Sequence, residues 1–519
     1  MSLSDESAAT PGISRRDFLG AGASAAAYSL LLKAPSPAPR RLAPNQPIHL
    51  ACIGVGAQGT RVMMDFLKLS DVRVVAVCDV NRESADYSEW SPGELLGKER
   101  KLLNDPAWGA GWQGPTCGRE PARRLVDAYY RQVRPLSGER ACNAYNDFRQ
   151  LFAQERDLDA VVVCTPDHWH AHIALYALRQ GKHVFSQKPM AHTIYECGLM
   201  AKAARETGLA TQVAVMNEAS VATRHLAEWI AAGVIGQVRQ VHNWSQRPYW
   251  PQGLARPAQA EPVPDGLDWD LWLGPAPARP FNHIYLPFVW RGWYDFGEGA
   301  IGDMANYSFD TIFRVLALTA PAAVEASSTP RFPESWPVAE LVHWEFPARA
   351  GRAPVDLYWY DAHLRPPRPR ELAAGELMNS PEDGEGLLFV GDQGKILCGF
   401  EGQNPRLIPS RRMRAFTPPP DNLPPSPGAY REWLDAIRGG PPPRANYEFE
   451  QAVVEALLLG CIAVRASTKL TWDAENKRIT GLDAAGRPHP RARAVALAAA
   501  NAQLNPPRRA PWTLDALQS

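Results

Sequence analysis

One hexapeptide does most to limit what this chain can fold into. Gly54-Val-Gly56-Ala-Gln-Gly59 follows an apolar run, Ile48–Ile53, and precedes a helix-compatible segment from Arg61 to Leu69. A second apolar run, Val72–Cys78, then ends in Asp79, twenty residues after Gly59. Strand, glycine turn, helix, strand is the order of a dinucleotide-binding βαβ unit. Each glycine has its own mechanical task in such a unit: Gly54 permits the tight turn, Gly56 lets a pyrophosphate approach the backbone, and Gly59 allows the helix to pack closely on the strand. The first N–H groups of the helix and its positive dipole end would face the phosphates. Asp79 would accept hydrogen bonds from a ribose diol. That favours NAD, because a carboxylate repels a 2′-phosphate, while Arg82 nearby leaves NADP open. The plain alternative is a strand–turn–helix with no ligand.

The alternation continues downstream. Strand-like runs at Ala160–Cys164, His183–Phe185 and Ala210–Val215 are separated by helical patterns at Ala171–Arg179 and Ile194–Thr207, which predicts a parallel sheet with helices on both faces. A polar, aromatic stretch from about Tyr87 to Ala144 interrupts the rhythm and reads as an insertion on the rim of the cofactor domain. From about residue 216 the character changes. Val238–Trp244, Val342–Phe346, Asp356–Tyr360, Gly386–Val390 and Lys395–Leu397 look like strands joined by Pro/Gly loops. Helices are expected at Ser308–Leu318 and Tyr430–Arg438, with one long buried helix at Phe449–Ser467. The basic cluster Arg406 to Arg414 reads as a solvated loop. The expected class is α/β. Residues 46–215 form an NAD(P)-binding Rossmann domain, and residues 216–519 form a substrate-binding and dimerisation α+β domain with an open, mostly antiparallel sheet.

Residues 1–45 read as a signal and linker. Arg15-Arg16, followed by Phe18-Leu19 and a modest apolar run from Gly20 to Leu32, matches a twin-arginine export signal. The run is too short to cross a bilayer comfortably, and an uncleaved N-terminal anchor is the alternative. The expectation is a periplasmic or otherwise exported protein. With 55 Lys and Arg against 55 Asp and Glu, no global field points to nucleic acid or to an anionic membrane. Eight cysteines are too few for a disulfide framework in 519 residues. Cys52, Cys78 and Cys164 sit in apolar runs as small core residues, while Cys117 and Cys142 are a pair that an oxidising compartment would allow to bond.

Three motifs carry chemistry. Cys164-Thr165-Pro166-Asp167-His168-Trp169-His170-Ala171-His172 closes a strand and opens a helix, with Asp167 as a plausible N-cap. Ligands of doubly wound sheets bind outside the carboxyl ends of strands, so Thr165 and Pro166 would face the cofactor, with His168 and His170 beside them. His168 and His172 are four residues apart, but no carboxylate or third histidine stands at a compelling metal-ligand spacing, and cofactor and substrate contacts are the preferred reading. Ser186-Gln187-Lys188-Pro189 ends the next strand and points Lys188 into the cleft, where it would polarise a substrate hydroxyl or relay a proton. The stretch Trp290 to Tyr307 is dense in aromatics, which suits stacking on sugar rings; Trp169, Arg291 and Trp293 are the expected substrate contacts. Asp303 and Tyr307 lie one helical turn apart and can face one cleft.

At these residues the chain resembles the glucose–fructose oxidoreductase / inositol dehydrogenase / rhizopine-catabolism family, and specifically its exported branch. Further matching pieces are Gly233-Val-Ile-Gly236-Gln-Val, Leu267-Asp-Trp-Asp-Leu-Trp-Leu-Gly-Pro, Trp290-Arg-Gly-Trp, Glu432-Trp-Leu-Asp-Ala-Ile and Leu457-Leu-Leu-Gly-Cys-Ile-Ala. The resemblance implies a Rossmann domain followed by an open-faced sheet domain, whose exposed face is a common dimer surface, and hence a homo-oligomer. It also implies catalysis by the tripeptide lysine and an Asp-x-x-x-His pair. Lys188 and Asp303 match that pattern, whereas Gln187 stands where the family usually has Glu and Tyr307 where it usually has His. Histidine accepts a proton near neutral pH and an unperturbed tyrosine does not. Tyr307 acts as base if Lys188 or a cofactor's positive ring lowers its pKa. Otherwise the base is Asp303, His168 or His170, or the site is attenuated. Three activities are compatible with this pattern. The first is an NAD(P)-dependent oxidoreductase acting on a sugar, polyol or derivative with a tightly held cofactor. The second is a redox-neutral NAD-dependent glycoside hydrolase or lyase, and the third a non-catalytic binding protein of the same fold.

Overall fold

The structure is a computed structural model that describes residues 40, 42–43, 45–89, 91–135, 142–215, 220–349, 351–378, 384–420, 422–483 and 490–514. Arg15-Arg16 and the apolar run behind them lie outside the described residues. Among the described residues, a six-stranded sheet holds β1 (Ile48–Ile53), β2 (Val72–Cys78), β3 (Asn143–Tyr145), β4 (Ala160–Val163), β5 (His183–Ser186) and β6 (Thr211–Val213) in the order β3-β2-β1-β4-β5-β6. All its pairings are parallel. β1, β2 and β4 are Val- and Ile-rich and buried almost throughout, as strands covered by helices on both faces must be. This is the Rossmann strand order. It reverses between β1 and β4, and a crevice opens there at the carboxyl ends of the strands.

The stretch that breaks the alternation contains helices Glu94–Leu103 and Arg119–Gln132 and ends in β3 at the sheet edge. β3 pairs only with Ala76, Val77 and Cys78. Further up β2, the Val74 N–H donates to the Tyr130 hydroxyl instead (2.7 Å), so a side chain completes what the short edge strand leaves open.

The second sheet has nine strands among the described residues: β7 (Val238–Trp244), β8 (Ala323–Ser328), β9 (Glu340–Phe346), β10 (Val355–Tyr360), β11 (Gly386–Gly391), β12 (Gly394–Cys398), β13 (Arg406–Ile408), β14 (Lys469–Asp473) and β15 (Arg478–Asp483). Their order is β13-β12-β11-β7-β10-β9-β8-β14-β15, antiparallel throughout except where β7 meets β10. The sheet is therefore mixed, with one parallel pair. Residues of β9 alternate strictly between buried and half-buried, so one face is the more tightly packed; the second face carries a smaller cluster in which Leu372 and Met378 cover Trp244, Tyr360, Leu388, Leu397 and Ile408. The packed face meets helices Gly299–Leu316 and Tyr447–Ala466. Trp344 of β9 lies edge-on to Phe309 and donates its indole N–H to the Ala456 carbonyl (2.7 Å). Gly460 gives that ring room, since a Cβ there would come within 2.4 Å of it.

The long helix Tyr447–Ala466 is buried on nearly every face because it joins both sheets. Its first residue donates through the Tyr447 hydroxyl to the Ser186 Oγ of β5 (2.9 Å), and the preceding Ala445 carbonyl accepts the Val213 N–H of β6 (2.8 Å). Each fully buried Leu or Ile along it contributes about 1.5–3 kcal/mol. No helix among the described residues is long and apolar enough to cross a membrane. All eight cysteines are free. Cys117 and Cys142, which the spacing allowed to pair, are separate buried thiols whose pKa values burial pushes up.

Candidate active site

The glycine turn is built as its spacing demands. Gly54 has φ of 82° and stands against the end of β4, where a Cβ would lie 2.6 Å from the Cys164 carbonyl carbon. A Cβ on Gly59 would come within 1.9 Å of the Gly54 carbonyl oxygen. The helix runs Ala57–Leu67, starting earlier than its apolar pattern, so Gly56 takes the cap position with no side chain closing the helix end. Asp79 sits at the end of β2 with one carboxylate oxygen accepting the Val55 N–H (2.8 Å) and the other the Asn81 N–H (2.9 Å). Each oxygen keeps a second lone pair for a ribose hydroxyl. Burial raises its pKa against those two bonds.

Two further observations bear on whether a dinucleotide fits. The Thr165 Oγ1 is buried without a hydrogen-bond partner and lines the cavity, so it is available to a ligand. The Tyr87 ring, in contrast, stands on the side of Gly56 where a pyrophosphate would approach: its Cε1 is 2.7 Å from the position of a Cβ on that glycine. The donor set and the glycine cradle fit the group once that ring swings aside.

From the glycine turn a cavity of about 330 Å³ runs to Lys188, Asp303, Tyr307 and Arg291. Lys188 follows β5 and is fixed from three directions. The Tyr447 hydroxyl holds Ser186, the Gln187 N–H donates to the Val163 carbonyl (2.8 Å), and His170 faces the Pro189 carbonyl through Nδ1 (2.7 Å). The Lys188 ammonium donates to the Asp303 carboxylate (2.8 Å) and to the Asp303 backbone carbonyl, and it lies 4.8 Å from the centre of the Tyr307 ring. Arg291 donates from Nε to the same carboxylate oxygen (3.0 Å). Asp303 and Tyr307 share a face of the helix Gly299–Leu316 and both line the cavity.

This arrangement fixes charge states. Burial would raise the Asp303 carboxyl, but Lys188 and Arg291 outweigh it and hold it well below the usual carboxylate range. Burial opposes the Lys188 charge, yet Asp303 raises its pKa above the ordinary value. Tyr307 is raised by burial, only partly offset by Lys188. At neutral pH the site thus holds an ammonium, a carboxylate and an intact phenol. None of the three exchanges a proton readily there.

Of the residues singled out by sequence, Gly54, Gly56, Gly59, Asp79, Thr165, Pro166, Trp169, Lys188, Arg291, Asp303 and Tyr307 line this one cavity. Three do not. His168 is wedged between Trp272 and Phe296 with Nε2 3.0 Å from the Trp272 carbonyl, and burial pushes its pKa down to about 3. His170 is buried behind the wall, its ring nitrogens on the carbonyls of Pro189 and Thr165 (2.7 and 2.9 Å). It ties the Thr165 turn to the Lys188 turn from outside the cavity. Trp293 is fully buried and donates to the Ile284 carbonyl (3.0 Å). Trp169 reaches the cavity by an edge, its indole N–H being held by the carbonyls of Leu271 and Trp272 (3.1 Å each). Asp167 is the first helical residue rather than the cap, which falls on Pro166. Tyr87, Asn146, Phe148, Arg247, Phe288 and Trp290 also line the cavity. Trp290 opens the aromatic stretch already noted and Phe288 stands two residues before it; the others carry no local signal, because segments remote in sequence deliver them.

The comparisons with known proteins agree with this architecture. A family model described as an oxidoreductase family, NAD-binding Rossmann fold, matches residues 119–215. One described as an oxidoreductase family, C-terminal alpha/beta domain, matches residues 215–343. A glycosyl hydrolase family 109 protein of Shewanella baltica (strain OS185) is 28% identical over 211 residues, 38% of this chain and 38% of its own length. A levoglucosan dehydrogenase of Pseudarthrobacter phenanthrenivorans is 30% identical over 166 residues, 31% of this chain and 42% of its own length. The chain thus spans less than half the length of either relative. Among solved structures, the WlbA dehydrogenase of Bordetella pertussis, in complex with NADH and UDP-GlcNAcA, superposes with a TM-score of 0.52 at 15% identity over 82% of this chain and 99% of that one. At that identity the likeness is one of fold.

Proposed function

We propose that the chain is a member of the Gfo/Idh/MocA oxidoreductase family, two domain models of which match residues 119–215 and 215–343, and that it is an exported NAD(P)-dependent oxidoreductase acting on a sugar, polyol or derivative. The observation that carries this reading is the convergence of Lys188, Asp303 and Tyr307 on the cavity that begins at the glycine turn. Gly54, Gly56, Gly59, Thr165 and Asp79 would hold the dinucleotide, NAD by preference, whose nicotinamide supplies a hydride acceptor. Lys188 donates a hydrogen bond to the substrate oxygen and stabilises negative charge developing there. Asp303, already committed to two cations, orients Lys188 and Arg291 rather than taking a proton. The Tyr307 hydroxyl positions the substrate. Phe288 and Trp290 present apolar faces to the C–H side of a sugar ring.

Arg15-Arg16 support export by the twin-arginine route, which moves folded chains, so the cofactor would travel seated. The half-buried residues on the second face of the nine-stranded sheet, as on β9, are the surface on which a second copy would assemble. Mass spectrometry of the small molecules released from purified protein should find NAD(H) or NADP(H), and a sugar panel should change absorbance at about 340 nm through the bound ring. Protein that folds, binds added dinucleotide and shows no change with any sugar would sink the proposal.

A second reading is supported by the relatives named as glycosyl hydrolase family 109 proteins. In it the same cavity oxidises a sugar transiently, eliminates a glycosidic group and restores the sugar. Release of aglycone without net formation of reduced dinucleotide distinguishes it from the first.

A further inference from the structure

Oxidising an alcohol to a carbonyl releases one proton for every hydride transferred. Lys188, Asp303 and Tyr307 all keep their protonation state near neutrality, so that proton needs another way out. A buried acid pair stands on the cavity wall. Asp167, at the start of the helix that closes the Thr165 turn, lines the cavity with its side chain against Glu298. Glu298 caps the helix that carries Asp303 and Tyr307 and is 3% exposed. Neither of its carboxyl oxygens has an N–H or hydroxyl partner. They face the Asp167 carboxyl and, 3.7 Å away, the Nε2 of His192. The room for this folded-back side chain is made by Gly302, where a Cβ would lie 2.1 Å from the Glu298 Cβ. His192 is 16% exposed at its side chain, so the line from cavity to Glu298 to His192 ends at solvent.

A buried carboxyl beside a second carboxyl resists ionisation. Burial first, then Asp167 and Glu196, raise Glu298 far above the usual range, which favours its protonated form. His192 is lowered by burial and by Arg465, against Glu196, Asp167 and Asp295, which leaves it neutral and able to accept. Two buried thiols also feel Glu298: Cys461, whose sulfur sits over the Glu298 backbone carbonyl, and Cys197, both with pKa values pushed up by burial.

We propose that Asp167, Glu298 and His192 form a proton relay that carries the proton of the oxidised hydroxyl out of the cavity. The relay rests on the oxidoreductase reading above. The C–H electron pair leaves as hydride to NAD(P)⁺, the O–H bond breaks, and its pair becomes the second bond of the carbonyl. The proton goes to the Asp167 carboxylate. Glu298 gives its own proton to His192 Nε2 and takes the one from Asp167, restoring the pair, while His192 releases its proton to water. Reduction of a carbonyl runs the same path inward.

The test uses the full chain loaded with NAD⁺. Infrared spectra should show a protonated-carboxyl band near neutral pH that shifts in D₂O and is lost in Glu298→Gln, which keeps the size of the side chain. Reduction of the bound nicotinamide by a panel sugar should slow about 10–100-fold in Glu298→Gln and His192→Ala, with the pH profile displaced and added imidazole restoring the His192→Ala rate. A role confined to helix capping predicts no imidazole rescue. Absence of the band in folded wild-type protein overturns the relay. So does a Glu298→Gln rate and pH profile like those of the wild type; if Glu298→Gln does not fold, Asp167→Asn with an unchanged profile does the same. If the wild type itself reduces no bound nicotinamide with any sugar, the oxidoreductase reading fails and takes the relay with it, a result distinct from an idle variant beside an active parent.

Discussion

Lys188 and Arg291 both lean on the Asp303 carboxylate in a largely buried site, and the sign of each dependence follows from that contact. Asp303→Asn would leave two buried cations without their partner, at a cost of about 3–5 kcal/mol. We expect a lower melting temperature together with a rate reduced at least 100-fold, checked by calorimetry and by reduction of bound nicotinamide. The depressed Asp303 carboxyl contributes stability that is fully present above its ordinary value of 3.8 and is lost as pH falls through its folded value. Glu99 behaves in the opposite sense. Burial raises it to about 7 despite the Trp108 indole N–H, so its contribution is complete below 4.5 and is lost as pH rises through about 7. Glu99→Gln should therefore melt above the wild type at about pH 8.5 and show no such advantage at about pH 5, as scanning calorimetry would reveal. His170 links two turns through carbonyl contacts; His170→Ala removes up to two hydrogen bonds, about 1–3 kcal/mol in total, and should both lower kcat by disturbing Lys188 and weaken dinucleotide binding by loosening the Thr165 turn, as steady-state rates and equilibrium dialysis would show.

At the scale of elements, the glycine turn was legible because sterics leave little choice. Gly59→Ala, with a Cβ within 1.9 Å of the Gly54 carbonyl oxygen, should cost about 1–3 kcal/mol and abolish dinucleotide retention in equilibrium dialysis. β1, β2, β4, β5 and β7 could be read from apolar runs because both their faces, or one face regularly, are buried. β3 could not: Asn143-Ala-Tyr145 is a three-residue edge with no pattern of its own. β13 hides in the basic cluster Arg406 to Arg414, where Arg406 and Arg412 bond to neighbouring segments while Leu407 and Ile408 are buried on opposite faces of the sheet. The helix starts at Ala57, Asp167 and Gly299 all precede their apolar patterns, since a first turn that borders a cavity is selected for what it presents there. The charged and catalytic-type residues were readable at strand ends; Tyr87 and Glu298 were not, because their neighbours come from distant parts of the chain.

For the whole molecule, the helix Tyr447–Ala466 fastens the strand that ends at Lys188 to the core of the second sheet, so the two halves of the cavity share one scaffold. Replacing Arg15-Arg16 by Lys-Lys should hold the folded, cofactor-loaded protein inside the cell, a result that fractionation would show. At the mouth of that scaffold, Tyr87 covers Gly56. On the proposed reading, a dinucleotide would lift the ring to enter and lie under it afterwards. Tyr87→Ala should therefore speed loss of bound dinucleotide by roughly tenfold or more in a dilution-jump measurement. If the site keeps its carrier as proposed, the carrier would be recharged where it lies, with donor and acceptor taking turns in the same 330 Å³ chamber. Deuterium on the carbinol carbon of the first sugar would then turn up, undiluted by solvent or by free dinucleotide, on the carbon of the second.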